Sequence, residues 1–290
     1  MAHSKPGRSL REQIQDKKSI IVLPGVFDAL SARIAQQVGF SAMFQTGYGS
    51  AAALLGMPDF GLLNAGETID NANRIISAVD VPVLVDADTG YGNPLNVWKL
   101  VRDLENMGAA GIFLEDQVWP KRCGHMAGKD VIPKNDYIPK LRAAVEARRS
   151  KEFIIVARTD ARAPLGLDEA IERGKAYRKA GADVIFVEAP RTTAELKRVA
   201  DEIDAPLVAN MIEDGVTPNL PAKDLLDLGY RIAVFPLSAL YSATYAMQEV
   251  LTELKKTGAT KQTRKLMVTF KDFNQFVDLN KFTDLERRYS

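Results

Sequence analysis

The chain has 290 residues, of which 46% are hydrophobic, and its 38 basic and 37 acidic residues leave a formal charge of +1. A chain of this length and composition can build a large buried core, which excludes a disordered chain and a coiled coil. The balanced charge excludes an electrostatic nucleic-acid binder, so we expect the partner to be a small molecule. The single cysteine excludes an internal disulfide framework. The sequence shows no apolar signal segment and no run of about 18 apolar residues, so we expect a cytoplasmic protein that binds no membrane.

Short apolar segments rich in β-branched residues recur along the chain, with amphipathic segments between them. They are residues 20–25, 42–47, 82–90, 111–116, 153–160, 183–190, 206–214 and 231–238. Several intervening segments end in a glycine that predicts the end of a helix, namely Gly39, Gly108, Gly181 and Gly229. Eight alternating units predict a closed (β/α)8 TIM barrel, with an open doubly wound sheet as the structural alternative.

The residues after the eighth unit predict further helices. A helix is expected over about residues 240 to 257, followed by a charged turn. The apolar residues of the tail have helical spacing and are Leu266, Met267, Phe270, Phe273 and Phe276. We therefore treat residues 1–290 as a single barrel domain in which 258–290 form a helical extension, and we expect a neighbouring subunit to cover its apolar face.

The predicted strands begin apolar and end polar, and in a barrel such ends meet at one mouth. Asp86 and Asp88 are two residues apart, so on a strand both carboxylates would point to the same side. They either cap loops and pair with basic residues or share a divalent cation. Glu115 and Asp116 supply further acids at the end of the next strand, which favours the cation, and magnesium suits an all-oxygen site.

Basic and amide side chains end the later strands. Arg158 either forms a structural ion pair with Asp160 or Glu188, or binds a substrate carboxylate through its planar guanidinium. Glu188 and Asn210, at the ends of strands six and seven, would complete the polar lining.

The only cysteine, Cys123, lies two residues before His125 in the segment KRCGHMAGK. The two preceding cations predict a lowered thiol pKa and partial exposure. A cysteine protease is disfavoured because neither a nucleophile elbow nor a third triad member is recognisable. Gly124 and Gly128 predict a gating loop, on which Cys123 would donate or accept a proton.

Seven motifs carry a resemblance to a known superfamily. In chain order they are PGVFDALSA, TGYGSAAALLGMPDFGLL, VDADTGYG, FLEDQVWPKRCGHMAGK, ARTDA, VEAP and NMIE. Together they resemble the isocitrate lyase and phosphoenolpyruvate mutase superfamily. The resemblance implies an enzyme of α-keto or 2-hydroxy acids that uses Mg2+, with Mn2+ as a possible substitute. It also implies a homotetramer in which partner subunits exchange the eighth helix.

The resemblance implies specific metal ligands as well. Asp86, Asp88 and Glu115 would hold the ion directly or through waters, with Asp59 nearby.

The loop sequence distinguishes branches of this superfamily. Members acting on C–P bonds carry EDKxxxKxNS, whereas the C–C lyases carry K[KR]CGH, which residues 121–125 match. Methylisocitrate-cleaving members have arginines where this chain has Met126 and Tyr241. An unpaired buried carboxylate costs several kcal/mol, so the substitutions favour a dicarboxylate substrate. Further motifs resemble the petal death protein and 2,3-dimethylmalate lyase group, and Pro236 favours a lyase over an oxaloacetate hydrolase.

The implied reaction is a retro-Claisen cleavage of a substituted malate, such as 2,3-dimethylmalate, to an α-keto acid such as pyruvate and a monocarboxylate such as propionate. The implied substrate-binding residues are Thr46, Gly47, Tyr48, Cys123, Gly124, His125, Arg158, Glu188 and Asn210. Catalysis is assigned to Cys123, which would protonate C3, to Arg158 and to Tyr48. The base for the C2 hydroxyl stays open between Tyr48, a metal-bound water and Asp59.

Several alternatives are left open by the sequence. Within the superfamily they are an oxaloacetate hydrolase, a methylisocitrate lyase, and a carboxyphosphoenolpyruvate mutase or other phosphonate enzyme. From other classes they are a metal-dependent aldolase of the pyruvate type and a catalytically inactive ligand-binding barrel. Either Phe44, Trp119, Leu237 and Tyr241 select the substrate's substituents, or they are ordinary core side chains.

Overall fold

Eight parallel strands form a closed barrel in chain order, with the last strand paired to the first. The structure, a computed structural model, describes residues 9–126 and 128–290. The strands are β1 Ile21–Val26, β2 Met43–Gln45, β3 Val83–Asp86, β4 Gly111–Glu115, β5 Ile154–Thr159, β6 Val184–Val187, β7 Leu207–Asn210 and β8 Ile232–Phe235. The predicted (β/α)8 barrel is thereby confirmed, and the open sheet is excluded.

Helices surround the barrel. They are α1 Leu10–Gln15, α2 Ala29–Val38, α3 Gly47–Leu55, α4 Ala65–Ser77, α5 Pro94–Asn106, α6 Lys134–Ala147, α7 Leu167–Lys179, α8 Thr193–Glu202, α9 Ala222–Leu228, α10 Ser238–Thr257, α11 Phe270–Phe276 and α12 Leu279–Tyr289. Gly39 and Gly229 end α2 and α9 with φ of 105° and 112°, a conformation that strains other L-residues. Among the described residues, no helix is long and apolar enough to cross a membrane.

The strands are buried on both faces. Leu84 and Phe113 belong to the cluster inside the barrel, whereas their neighbours Val85 and Leu114 belong to the layer between strands and helices. This double burial explains the nearly continuous apolar runs in the sequence. The Phe113 ring lies 4.6 Å from the ring of Phe44 and 5.9 Å from that of Phe186, so aromatic side chains fill the interior beneath the mouth.

The C-terminal region is helical, as expected, but it is divided. After α10, a 3-10 helix at Lys261–Leu266 precedes the short helices α11 and α12. Arg33 on α2 donates to the carbonyl of Phe276 at 2.8 Å and pairs with Asp278, which holds the tail against its own barrel. Nevertheless α10, α11 and α12 contain no buried residue, and Phe270 is 84% exposed. Most of the apolar face is therefore uncovered within one chain.

Candidate active site

The polar strand ends converge on one pocket at the C-terminal mouth of the barrel, with a volume of about 500 Å3 including its opening. The predicted site residues that line it are Thr46, Tyr48, Asp59, Asp86, Cys123, Gly124, Arg158, Glu188 and Asn210. A smaller adjoining pocket contains Gly47 and Asp88 and shares Asp59 and Asp86 as walls. Glu115 and His125 line neither pocket, but each contacts a charged residue that does.

Asp86 and Asp88 lie at the same site although only Asp86 ends a strand. The chain leaves β3 at Asp86, and Asp88 follows in a left-handed conformation with φ of 45°, so strand alternation does not orient it. The turn places the Asp88 N–H 3.2 Å from Asp86 Oδ1. Gly47, the first residue of α3, donates its N–H to Asp86 Oδ2 at 3.1 Å. A Cβ on Gly47 would lie 2.7 Å from that oxygen, so glycine permits this close approach.

Lys121 joins the carboxylates at this site, a contact that the sequence did not predict. Its Nζ lies 2.7 Å from Asp59 Oδ1 and 2.7 Å from Asp88 Oδ1, and the residue is only 3% exposed. Burial alone would lower the pKa of this ammonium, but the surrounding carboxylates raise it well above its usual range. Lys121 is therefore charged and supplies one counter-charge to the acids.

The positive charges of Lys121 and Arg158 do not fully balance the remaining carboxylates of the site. Burial raises the pKa of Asp88 to about 6 and that of Glu115 well above its usual range, although Lys121 and Arg158 oppose the shifts. Within the described part of the chain, Glu115 Oε1 is buried and accepts no hydrogen bond. An excess of buried oxygen donors over cations fits a divalent ion such as magnesium. Of the described residues, no three His, Cys, Asp or Glu side chains form a ready ligand cluster, so water would complete the shell.

Arg158 is surrounded by carboxylates on the other side of the pocket. Its guanidinium donates to both oxygens of Asp160 at 2.8 and 3.0 Å, and lies 3.2 Å from Glu188 and 3.3 Å from Glu115. Burial opposes the charge, yet these three acids raise the pKa of Arg158 well above its usual range. Both interpretations of Arg158 therefore have support, because it has structural partners and also lines the pocket.

Glu188 connects Arg158 to the loop and to strand β7. The Asn210 side-chain amide donates to Glu188 at 3.3 and 3.4 Å, and His125 Nε2 lies 3.1 Å from Glu188 Oε1. Burial would raise the pKa of Glu188, but Arg158, the contact with His125 and the charge of Lys129 lower it below its usual range. Glu188 is therefore an ionised group that orients its neighbours.

Asp116 faces away from the pocket, so its interpretation as an acid of the metal site is wrong. Asp116 follows the last residue of β4 and points toward α7, where Arg173 and Tyr177 donate to its Oδ2 at 2.9 and 2.7 Å. Its Oδ1 accepts the N–H of Asp160 at 2.9 Å. Asp116 thereby helps to position Asp160, the bidentate partner of Arg158.

The Cys123 thiol is half-buried in the pocket wall, and its predicted low pKa is wrong. Burial raises the pKa to about 11; a backbone hydrogen bond at His125 opposes this shift, whereas the charge of Asp59 adds to it. The preceding cations do not compensate, because Lys121 binds the acids and the Arg122 guanidinium lies over the Phe60 ring at 5.5 Å. The thiol is protonated at neutral pH, as a proton donor must be.

Gly124, in the predicted gating loop, lines the pocket beside Cys123. A Cβ on Gly124 would lie 2.4 Å from Arg158 Nη2 and 2.5 Å from the Glu188 carboxyl carbon, so glycine permits this approach. His125 Nδ1 accepts the N–H of Val216 at 3.0 Å, which ties the loop to the segment after β7. Ala127, in the same predicted loop, lies outside the described residues.

The four side chains considered as contacts for the substrate's substituents divide into two groups. Phe44 and Leu237 line the pocket, together with Pro236. Trp119 and Tyr241 are 45% and 42% exposed and are not among its lining residues. Phe44 and Leu237 are therefore placed where they could contact the substrate's substituents. Trp119 and Tyr241 do not line this pocket.

Comparison with known proteins gives one family over most of the chain. Residues 10–255 match the phosphoenolpyruvate phosphomutase family. The chain is 46% identical to 2,3-dimethylmalate lyase of Eubacterium barkeri, over 97% of this chain and 97% of that protein. It is 48% identical to the chloroplastic carboxyvinyl-carboxyphosphonate phosphorylmutase of Arabidopsis thaliana, over 95% of this chain and 82% of that protein.

Solved structures agree with this placement. Oxaloacetate acetylhydrolase in complex with 3,3-difluorooxalacetate superposes with a TM-score of 0.92 at 34% identity, over 97% of this chain and 96% of that one. Phosphonopyruvate hydrolase, solved in complex with oxalate and Mg2+, superposes with a TM-score of 0.86 at 27% identity, over 97% and 98% of the two chains.

Proposed function

The chain belongs to the phosphoenolpyruvate mutase and isocitrate lyase superfamily, and from this premise we propose that it is a magnesium-dependent lyase that cleaves a C–C bond of a 2-hydroxy dicarboxylate. The observation that carries the proposal is the arrangement of one pocket, whose walls combine a protonated thiol, a guanidinium and buried carboxylates. A substituted malate such as 2,3-dimethylmalate offers a carboxylate to each side and a carbon between them to the thiol.

The acidic side would repel a substrate carboxylate unless a cation lay between them. Buried carboxylate oxygens whose charge is not fully balanced by basic side chains support a magnesium ion between these acids and the substrate, with manganese as a possible substitute. Asp86, Asp88, Glu115 and Asp59 would hold the ion, in part through water. When bound, it supplies positive charge to the C2 carboxylate and to the C2 oxygen.

The two substrate carboxylates would bind to different elements. Backbone N–H groups of Gly47 and Tyr48, at the start of α3 after its cap Thr46, would bind the C2 carboxylate, because a helix N-terminus favours an anion. The Gly47 N–H would exchange its present acceptor, Asp86 Oδ2, for the substrate. Arg158 and Asn210 would bind the C4 carboxylate. The guanidinium is held in place for this role by Asp160 and Glu188.

The reaction would then proceed at C2 and C3. The C2 hydroxyl gives its proton to a base, for which Asp59 in the pocket wall is a candidate. The C2–C3 bond breaks, and its electron pair passes to C3 and the C4 carboxylate as an enediolate. Cys123 gives its thiol proton to C3, and the C2 oxygen forms a ketone. Burial raises the pKa of Tyr48, which favours this hydroxyl as a hydrogen-bond donor rather than as the base. With a methyl group on each carbon, the products are pyruvate and propionate.

The charge of the pocket supports a dicarboxylate rather than a tricarboxylate substrate. Among the described lining residues, Lys121 and Arg158 are the only cations, and Lys121 already contacts two carboxylates. A third substrate carboxylate would have no basic partner, at a cost of several kcal/mol.

Hydrolysis of oxaloacetate is the second candidate, favoured by the superposition with oxaloacetate acetylhydrolase. Pro236 in the pocket wall favours the lyase. Both activities are tested by incubating the protein and Mg2+ with 2,3-dimethylmalate, other 3-substituted malates or oxaloacetate. Pyruvate is followed by coupling to lactate dehydrogenase, oxalate and phosphonopyruvate are measured in parallel, and EDTA is the control.

The proposal expects magnesium-dependent pyruvate release from a substituted malate. Oxalate from oxaloacetate without pyruvate from any malate would support the second candidate. Failure of all these reactions with metal present would refute both.

We further propose that a second copy of the chain covers the exposed apolar face of α10 to α12, within a homotetramer, and that residues 258–290 are an extension of a single barrel domain. The exposed Phe270 and Tyr245, at 84% and 62%, support a covering partner. Light scattering should give a mass about four times 31.9 kDa. A monomeric mass would contradict the proposal.

A further inference from the structure

A second cavity opens beside the barrel mouth, between the segment that leads into α4 and the first half of α6. Its volume is about 1070 Å3 including the part open to solvent. Its lining residues are Gly61, Leu62, Leu63, Asn64, Ala65, Gly66, Thr89, Tyr91, Gly92, Gln117, Trp119, Ile132 and Lys140. None of these described residues is acidic, and none lines the active-site pocket that contains Cys123 and Arg158. Gly61, Leu63 and Tyr91 also line the smaller pocket that contains Gly47 and Asp88, so the cavity adjoins that pocket on one side. Lys140 is the one cationic side chain among the described lining residues of the cavity.

Lys140 is the unusual member of this lining. The residue is 9% exposed, and it makes no ion pair or side-chain hydrogen bond with any residue that the structure describes. Buried ammonium groups ordinarily have an anionic or hydrogen-bonding partner, because desolvation without one is costly. Desolvation accordingly lowers the pKa of Lys140, and the charge of Glu115 only partly opposes this shift. Because no described side chain contacts the ammonium directly, a direct partner would be an anion from solution.

The N-terminus of α4 supplies a second feature that attracts anions. This helix has 13 residues, and its cap Asn64 accepts the N–H of Glu67 at 3.1 Å. The N–H groups of Ala65 and Gly66, at the first two helical positions, have no acceptor within the helix. Both residues line the cavity that Lys140 lines. Helix dipole and ammonium therefore favour negative charge in the same space.

The rest of the lining is apolar and includes one flat surface. Trp119 is 45% exposed, and its ring packs on Gly61, where a Cβ would lie 3.1 Å from it. Leu62 and Ile132 also line the cavity. A ligand suited to these walls has an apolar body beside its anionic group. A single ammonium balances one negative charge, which favours a carboxylate over a phosphate dianion.

We propose that this cavity binds a small monocarboxylate with an apolar body, its carboxylate between Lys140 and the N-terminus of α4 and its body against Trp119. The site is distinct from the one that would bind the dicarboxylate substrate. Binding there does not require the proposed lyase activity, so the two proposals can fail independently.

Trp119 provides the readout, with benzoate as the probe. The chain has two tryptophans, and Trp98→Phe leaves Trp119 as the only one. In that variant, benzoate should change the fluorescence saturably, and neutral benzamide should not. Adding Lys140→Met should weaken benzoate binding by about tenfold or more, equivalent to about 1.4 kcal/mol. Adding Lys99→Met instead should leave binding unchanged, because the Lys99 side chain is 74% exposed on α5.

Benzoate binding of equal strength with and without Lys140→Met would overturn the proposal, as would an equal response to benzamide. If the Lys140→Met variant fails to fold, a second experiment on the unmodified protein tests the same proposal. Saturating benzoate should protect Lys140 of the unmodified protein from acetylation by an N-hydroxysuccinimide ester, with Lys99 acetylated as before. Unprotected Lys140, measured by peptide mass spectrometry, would also overturn the proposal.

Discussion

Arg158 donates two parallel hydrogen bonds to the carboxylate of Asp160, at 2.8 and 3.0 Å. Asp160 is itself fixed because its N–H donates to Asp116 on the outer side of the barrel. The guanidinium that would bind substrate is thus oriented by a chain of contacts that begins at α7. Bidentate geometry of this kind limits the rotation of the arginine as well as stabilising its charge.

Asp160→Asn should lower kcat/KM about 10- to 100-fold, mainly through KM, because Arg158 loses one charged acceptor and its fixed orientation. Steady-state kinetics on the malate substrate measures the change. Glu195→Gln is the matched control, since Arg162 binds Glu195 in the same bidentate way, at 2.9 and 2.6 Å, outside the pocket. Equal losses in both variants would contradict the positioning role.

Arg173→Met should destabilise the fold by about 3 to 5 kcal/mol, because it leaves the fully buried carboxylate of Asp116 without its ion-pair partner. Urea denaturation followed by circular dichroism measures the loss. Arg198→Met is the control and should change stability little, because that side chain is 47% exposed. A fold as stable as the parent after Arg173→Met would show that Asp116 needs no counter-charge.

Cys123→Ser should lower kcat by about 10^2 to 10^4, the range of a lost general acid, while KM changes by only a few-fold. The serine hydroxyl keeps the size of the group but is a far weaker acid. Full turnover in the serine variant, at unchanged metal occupancy, would rule out the thiol as the proton donor.

The pKa of about 11 predicts how Cys123 reacts with pH. Below this pKa the thiol holds its proton, so at pH 8 only about one part in a thousand is the reactive thiolate. Alkylation by iodoacetamide should therefore be slow at pH 8 and accelerate about tenfold per pH unit up to about pH 10. Mass spectrometry of the modified protein gives the rates. A rate that levels off below pH 9 would show that the thiol is activated.

The fold follows from the sequence because each barrel strand is buried on both faces and therefore reads as an apolar run. The convergence of Asp86, Arg158, Glu188 and Asn210 follows from the same pattern, since all four lie within one residue of the C-terminal end of a strand of one barrel. These arguments rest on regular backbone geometry and need no knowledge of the loops.

The contacts made by loop residues could not be predicted from the sequence. Lys121 contacts Asp59, which is 62 residues away along the chain, and no spacing rule predicts that pairing. The low thiol pKa that the sequence predicts is wrong for the same reason, because the cations adjacent to Cys123 in sequence bind other partners in space. Asp88 reaches the site through a left-handed turn rather than along a strand.

The central claim is that the pocket cleaves a C–C bond and that the fragment released as a carbanion takes one proton from the protein. Proton NMR of 2,3-dimethylmalate incubated with the protein and Mg2+ in D2O tests it most directly. The account predicts equal amounts of pyruvate and propionate, with one deuterium on the propionate carbon next to its carboxylate. Intact substrate, or pyruvate without an equal amount of propionate, would contradict it.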